Sequence, residues 1–239
     1  MDDLYPTPTE RRSIRIETGS IVLEGDLAIP EGAHGLVLFA HGSGSSRLSP
    51  RNRNVAARLN ETGLATLLLD LLTPGEEAAD QETGDFRFDI NLLAQRLTGA
   101  TRWALRQKDT RRLTIGYFGA STGAAAALMA AANDPLHVAA VVSRGGRPDL
   151  ARGALARVQA PTLLIVGAYD APVIKLNTAS LVKMQCAREF VIVPGATHLF
   201  EETGALDKVA RLARKWFLRH LGAPDRLGRH AMQAAARYH

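Results

Sequence analysis

The chain has 239 residues, 46% hydrophobic and 22% charged, a balance that suits a packed core and excludes disordered and fibrous classes. Its net charge of +5 pulls weakly toward anions, but no zinc-ligand spacing, aromatic-interleaved basic strip or phosphate-binding loop accompanies it, so nucleic acid is not an expected partner. One cysteine, Cys186, rules out an internal disulfide; with no run near the roughly 18 apolar residues of a membrane span and an acidic start at Asp2-Asp3, a cytoplasmic protein without membrane contact is expected.

Ser13–Glu17 and Ile21–Ala28, parted by Thr18-Gly19-Ser20, read as an antiparallel edge hairpin. Leu36–Ala40 is a buried strand that runs into His41-Gly42-Ser43-Gly44, and the spacing predicts a helix over Asn52–Thr62, stopped by Gly63. A strand over Leu64–Leu69 ends at Asp70, and residues 71–88, acidic and without clear periodicity, read as a loop. Ile90–Arg106 places Ile90, Leu93, Leu97, Thr101 and Ala104 on one helical face. Strands then follow at Leu113–Phe118, Val138–Val142, Thr162–Val166 and Phe190–Val193, with helices at Thr122–Ala132, around Lys175–Cys186 and from Leu206 to His220. Strands that alternate with helices imply a mostly parallel, doubly wound sheet covered on both faces. Residues 1–222 read as one domain without a cap insertion, and 223–239 as a basic tail.

The chemistry gathers at Gly119-Ala120-Ser121-Thr122-Gly123, where an apolar strand runs straight into an Ala-rich helix. That is the context of a nucleophile elbow, in which small residues on either side of the serine let helix and strand cross closely. The helix start presents free N–H groups and a positive dipole end to developing negative charge. A serine hydroxyl needs a base within reach and a third group to orient that base. Among the seven histidines only His198 follows a late strand and precedes the closing helix. For the acid, Asp170 follows the strand Thr162–Val166 through a short Gly-containing turn, while Asp149, after the preceding strand, competes with it. The oxyanion donors expected are the backbone N–H groups of Thr122 and Ser43. Arg47 and Arg144, each just past the end of a strand, are the candidates for gripping a substrate carboxylate or phosphate. Pairing of Arg47 or Arg144 with Asp70, Glu76 or Glu77 is the alternative.

These motifs make the chain resemble an α/β-hydrolase of the dienelactone-hydrolase-like group, over nearly its whole length. The resemblance implies a sheet of about eight strands flanked by helices, a Ser121–Asp170–His198 site, and hydrolysis of esters or lactones with no metal or organic cofactor. Dienelactone hydrolases proper use cysteine where this chain has Ser121, which turns the expectation toward a general carboxylesterase. The segments His41–Arg47 and Ser143–Pro148 also resemble a subset of the group joined to phosphoribosyltransferase domains. Two other readings stay open: a non-catalytic module that binds a small anionic ligand or a partner enzyme, and a hydrolase of small peptides or thioesters.

Overall fold

A computed structural model describes residues 9–222. The predicted basic tail, 223–239, lies outside these residues.

Eight strands form one sheet: β1 (Thr9–Thr18), β2 (Ile21–Pro30), β3 (Gly35–Ala40), β4 (Leu64–Leu69), β5 (Thr114–Ala120), β6 (Val138–Arg144), β7 (Thr162–Gly167) and β8 (Arg188–Val193). Their order across the sheet is β1-β2-β4-β3-β5-β6-β7-β8. The hairpin of β1 and β2 pairs antiparallel, and β2 joins β4 antiparallel; every later pairing is parallel. Every residue of β3, β4, β6 and β7 is buried, as a sheet covered on both faces requires.

Alternation along β3 shows how the two faces divide. Leu36, Leu38 and Ala40 join a core with α3 (Ile90–Ala104) and α4 (Thr122–Asn133), while Val37 and Phe39 point the other way, toward α1 (Pro50–Asn60) and α6 (Ala205–Leu221). Helix α4 is almost wholly buried and built of alanine, which brings its axis close to the sheet. On the opposite face a Cβ at Gly116 would stand 2.8 Å from a ring carbon of Phe217, so the glycine is what lets α6 lie against β5.

Two segments depart from expectation. Residues 71–88 are not a loop: they contain α2 (Pro74–Thr83) and a 3-10 turn at Phe86–Phe88. A capping box starts α2, with Glu76 N–H donating to Thr73 Oγ1 at 3.3 Å and Thr73 N–H to Glu76 Oε2 at 2.8 Å; Pro74 opens the first turn and Gly84 ends it at φ +74°. Few of its residues face the core, so hydrophobic periodicity was absent although the caps were present. The fifth helix, α5, runs from Ala171 to Leu181 rather than over Lys175–Cys186, because Pro172 starts it directly after Asp170.

Candidate active site

The ends of β3, β5, β6, β7 and β8 all open on the edge of the sheet where an open parallel sheet binds its ligands. Ser121 follows β5 at φ +50° and ψ −121°, a strained conformation for a side chain with a Cβ. Its neighbours hold it there. The Ser121 N–H donates to the Arg144 carbonyl at 3.2 Å, and its own carbonyl accepts from Ala124 at 3.1 Å and Arg147 at 3.0 Å. A Cβ on Gly119 would fall 2.4 Å from Ala124 Cα, and one on Gly123 only 2.2 Å from the Ala40 carbonyl oxygen, so the crossing tolerates glycine alone at both positions. Ser121 occupies the N-cap position of α4, yet its hydroxyl makes no capping bond.

His198 lies in the turn after β8, its side chain 40% exposed, with Nδ1 2.6 Å from Asp170 Oδ2. An ionised carboxylate only accepts, so Nδ1 carries the hydrogen and Nε2 keeps a free lone pair. Asp170 stands at the N-cap of α5 but does not cap it; its carboxylate is turned to the imidazole instead. Asp149 is turned elsewhere, accepting from Arg147 Nε and Nη2 at 2.9 Å each. The two-residue stretch Arg144-Gly145 joins serine to histidine. It receives the Ser121 N–H on one side, and on the other a Cβ at Gly145 would come within 3.5 Å of His198 Nδ1 and Cε1.

The loop after β3 lies over the elbow, Gly42 so close that a Cβ there would meet Ser121 Cβ at 3.0 Å. Ser43 N–H is not free: it donates to Thr122 Oγ1 at 3.0 Å, and the two hydroxyl oxygens are also 3.0 Å apart. In this geometry the Ser43 amide, the expected oxyanion donor, is engaged by the neighbouring threonine. His41 is buried and holds the same loop, with Nδ1 2.9 Å from the Gly42 carbonyl and Nε2 accepting from Leu71 N–H at 3.0 Å. Burial pushes its pKa down, which keeps the imidazole neutral as this pair of bonds requires.

The two arginines part company. Arg47 is set among carboxylates: it bonds Asp70 through its amide at 2.7 Å and through Nη1, and Glu24 Oε2 through Nη2 at 2.6 Å. These partners anchor its charge to the protein and make Arg47 a strut between β2 and the ends of β3 and β4, the pairing that was the alternative to a grip on substrate. Arg144 is the opposite case. It is 6% exposed, and among the described residues its side chain bonds only Asn52 Oδ1, at 3.3 Å, while its guanidinium lies 5.9 Å from the centre of the Phe200 ring. Its Nε is buried without a partner. Burial, with Arg51 nearby, pushes its pKa down to about 10, which leaves it charged at neutral pH. Phe200, at φ +58°, and Asn52 were not legible as site residues; only the nearness of Phe200 to His198 in the chain could have flagged it.

Cys186 is buried, 3.8 Å from Thr162 Oγ1, and its thiol is pushed up by burial, so it is no candidate nucleophile. No helix among the described residues is long and apolar enough to cross a membrane.

The model of the dienelactone hydrolase family matches residues 23–221. This chain belongs to the dienelactone hydrolase family. The crystal structure of a dienelactone hydrolase from Anabaena variabilis is 58% identical, covers 89% of this chain and 99% of its own, and superposes with a TM-score of 0.88. Est1E from Butyrivibrio proteoclasticus shares the fold at 17% identity, with a TM-score of 0.73 over 88% of this chain and 99% of that one. A curated protein of Mycobacterium tuberculosis, named "Putative phosphoribosyl transferase", is 52% identical over 228 residues. Those residues are 95% of this chain and 51% of the relative, so the chain spans about half the length of the curated relatives it matches.

Proposed function

We propose that this dienelactone-hydrolase family member is a serine hydrolase that cleaves carboxylic esters or lactones through an acyl-enzyme. The observation that carries the reading is the 2.6 Å contact of His198 Nδ1 with Asp170, behind a serine held at φ +50°. In this mechanism Nε2 of His198 takes the Ser121 proton as the hydroxyl oxygen attacks the ester carbonyl. Asp170 keeps the imidazole in the right tautomer and stabilises its cation. The carbonyl becomes a tetrahedral oxyanion beside the free N–H of Thr122 at the start of α4. Collapse expels the alcohol, which takes the proton back from His198, and water repeats the sequence to release the acid. The unpaired, charged Arg144 beside the elbow favours substrates that carry a carboxylate or phosphate near the ester.

The name of the half-matched relatives does not make this chain a transferase, since the shared half is the part with the elbow and the Asp–His pair.

The test is a panel of p-nitrophenyl esters of increasing acyl length, with wild type and Ser121→Ala assayed together and a fluorophosphonate probe used to label the serine. Ser121→Ala should lower kcat by about 10⁴-fold or more and abolish labelling. A folded wild-type protein that neither labels nor hydrolyses any ester would favour a binding module instead.

A further inference from the structure

Ser43 and Thr122 raise a question of hydrogen counting. The pair carries three polar hydrogens that matter: the Ser43 N–H, the Ser43 O–H and the Thr122 O–H. The contacts within it are two, the amide on Thr122 Oγ1 and the hydroxyl-to-hydroxyl bond, both 3.0 Å. Whichever oxygen donates in the second contact, one hydroxyl hydrogen is left over. Thr122 is 3% exposed and sits in the first turn of α4, where the residue four earlier is in β5 and cannot offer a helical carbonyl. Among the described residues Thr122 Oγ1 has no partner other than Ser43.

We infer that the Thr122 hydroxyl is a catalytic donor: it and the Thr122 amide together hold the oxyanion, while Ser43 clasps the threonine oxygen from behind. The inference rests on the serine-hydrolase reading and deepens it. Physically, a charged oxyanion attracts a donor far more strongly than a neutral serine oxygen does. On its formation the two hydroxyls need only rotate. Ser43 then donates both N–H and O–H to Thr122 Oγ1, and the freed Thr122 hydrogen turns to the substrate. The loop that holds the pair is already fixed: Gly42 lies on Ser121, the Ala40 and His41 carbonyls lie on Gly123, and His41 ties the loop to Leu71. Donors that are in place before charge develops are the ones worth most to catalysis. Two donors on one residue also explain why the loop amide can be occupied without emptying the hole.

The test uses p-nitrophenyl acetate and four proteins: wild type, Thr122→Val, Thr122→Ser and Ser43→Ala, with Ser121→Ala alongside. Thr122→Val keeps shape and amide but removes the hydroxyl; it should lower kcat/KM by about 100-fold and weaken a boronic acid that forms a tetrahedral adduct by a similar factor. Thr122→Ser should restore kcat/KM to within about ten-fold of wild type, and Ser43→Ala should cost clearly less than Thr122→Val. The inference is overturned if Thr122→Val stays within about three-fold of wild type, because the released Ser43 amide would then be the true donor. It is equally overturned if Ser43→Ala falls as far as Thr122→Val, or if Thr122→Ser is no better than valine. Should Thr122→Val fail to fold, the contrast of Thr122→Ser with Ser43→Ala decides. An active Ser121→Ala would instead bring down the hydrolase reading itself.

Discussion

Arg144 holds a full charge where water barely reaches it, with one 3.3 Å bond to Asn52 and an aromatic face in place of a carboxylate. A buried cation without a counter-ion costs stability, so its presence at the end of β6, touching the backbone of the nucleophile, calls for a compensating role. Replacing it with an apolar side chain of similar length separates the two effects. Arg144→Met should raise the melting temperature by about 2–4 °C, the equivalent of about 1 kcal/mol at this chain length. The same variant should lose about ten-fold in kcat/KM on esters bearing a carboxylate, and less on neutral ones. Calorimetry and a matched pair of esters check both halves. Arg47 teaches the converse: the same residue type, also just past a strand end, is taken up by Asp70 and Glu24. Nothing in the local sequence distinguishes the two arginines, because the partners of Arg47 come from β2 and from the end of β4.

At the scale of elements, α2 is held by its ends rather than by a buried face. Thr73, Glu76 and Gly84 supply the caps, and Arg96 binds the outer oxygen of Glu76 at 2.5 Å. Asp80, the one buried residue of α2, accepts Arg87 Nε at 2.6 Å, which folds the following turn back onto the helix. Loss of the N-cap should therefore loosen this helix without unfolding the sheet. Thr73→Ala is expected to cost about 1 kcal/mol locally. Amide exchange across residues 74–83 should then quicken by about five-fold, while the strands keep their protection. Uniform acceleration through β3 to β7 would contradict this. The elbow and the parallel strands were legible because continuous apolar runs and the Gly119 and Gly123 pair are local signals. Helix α2 was not legible from hydrophobic period because it buries little, and its signal is a Thr-Pro-Gly-Glu start and a glycine stop. Helix α5 starts early, at Ala171, because Pro172 opens its first turn, while Asp170 in the N-cap position turns its carboxylate to the histidine.

Over the whole molecule, two cores on opposite faces of one sheet grip the loops that meet at its carboxyl edge, and His41 is a point where that grip responds to pH. Its imidazole is neutral because burial disfavours the cation, and both nitrogens are used. The folded pKa is thus below the unfolded value of about 6.5, so as pH falls below that value the unfolded chain takes up the proton first and stability declines. Denaturant melts at pH 7 and pH 5 should show this decline in wild type and a smaller one in His41→Gln. Equal slopes would mean that the acid sensitivity lies elsewhere.

The amino-acid sequence by itself determined the layered α/β class, the strand-turn-helix around Ser121 and the positions of Asp170 and His198 at strand ends, since each depends on patterns within a few residues. Tertiary structure alone decided that Asp170 rather than Asp149 meets the imidazole, that Arg47 is held by acids while Arg144 is left unpaired, and that Thr122 has taken the Ser43 amide. Those outcomes depend on which groups from distant segments come within bonding distance, and short-range attraction between side chains is settled only once the sheet has brought its loops to one edge.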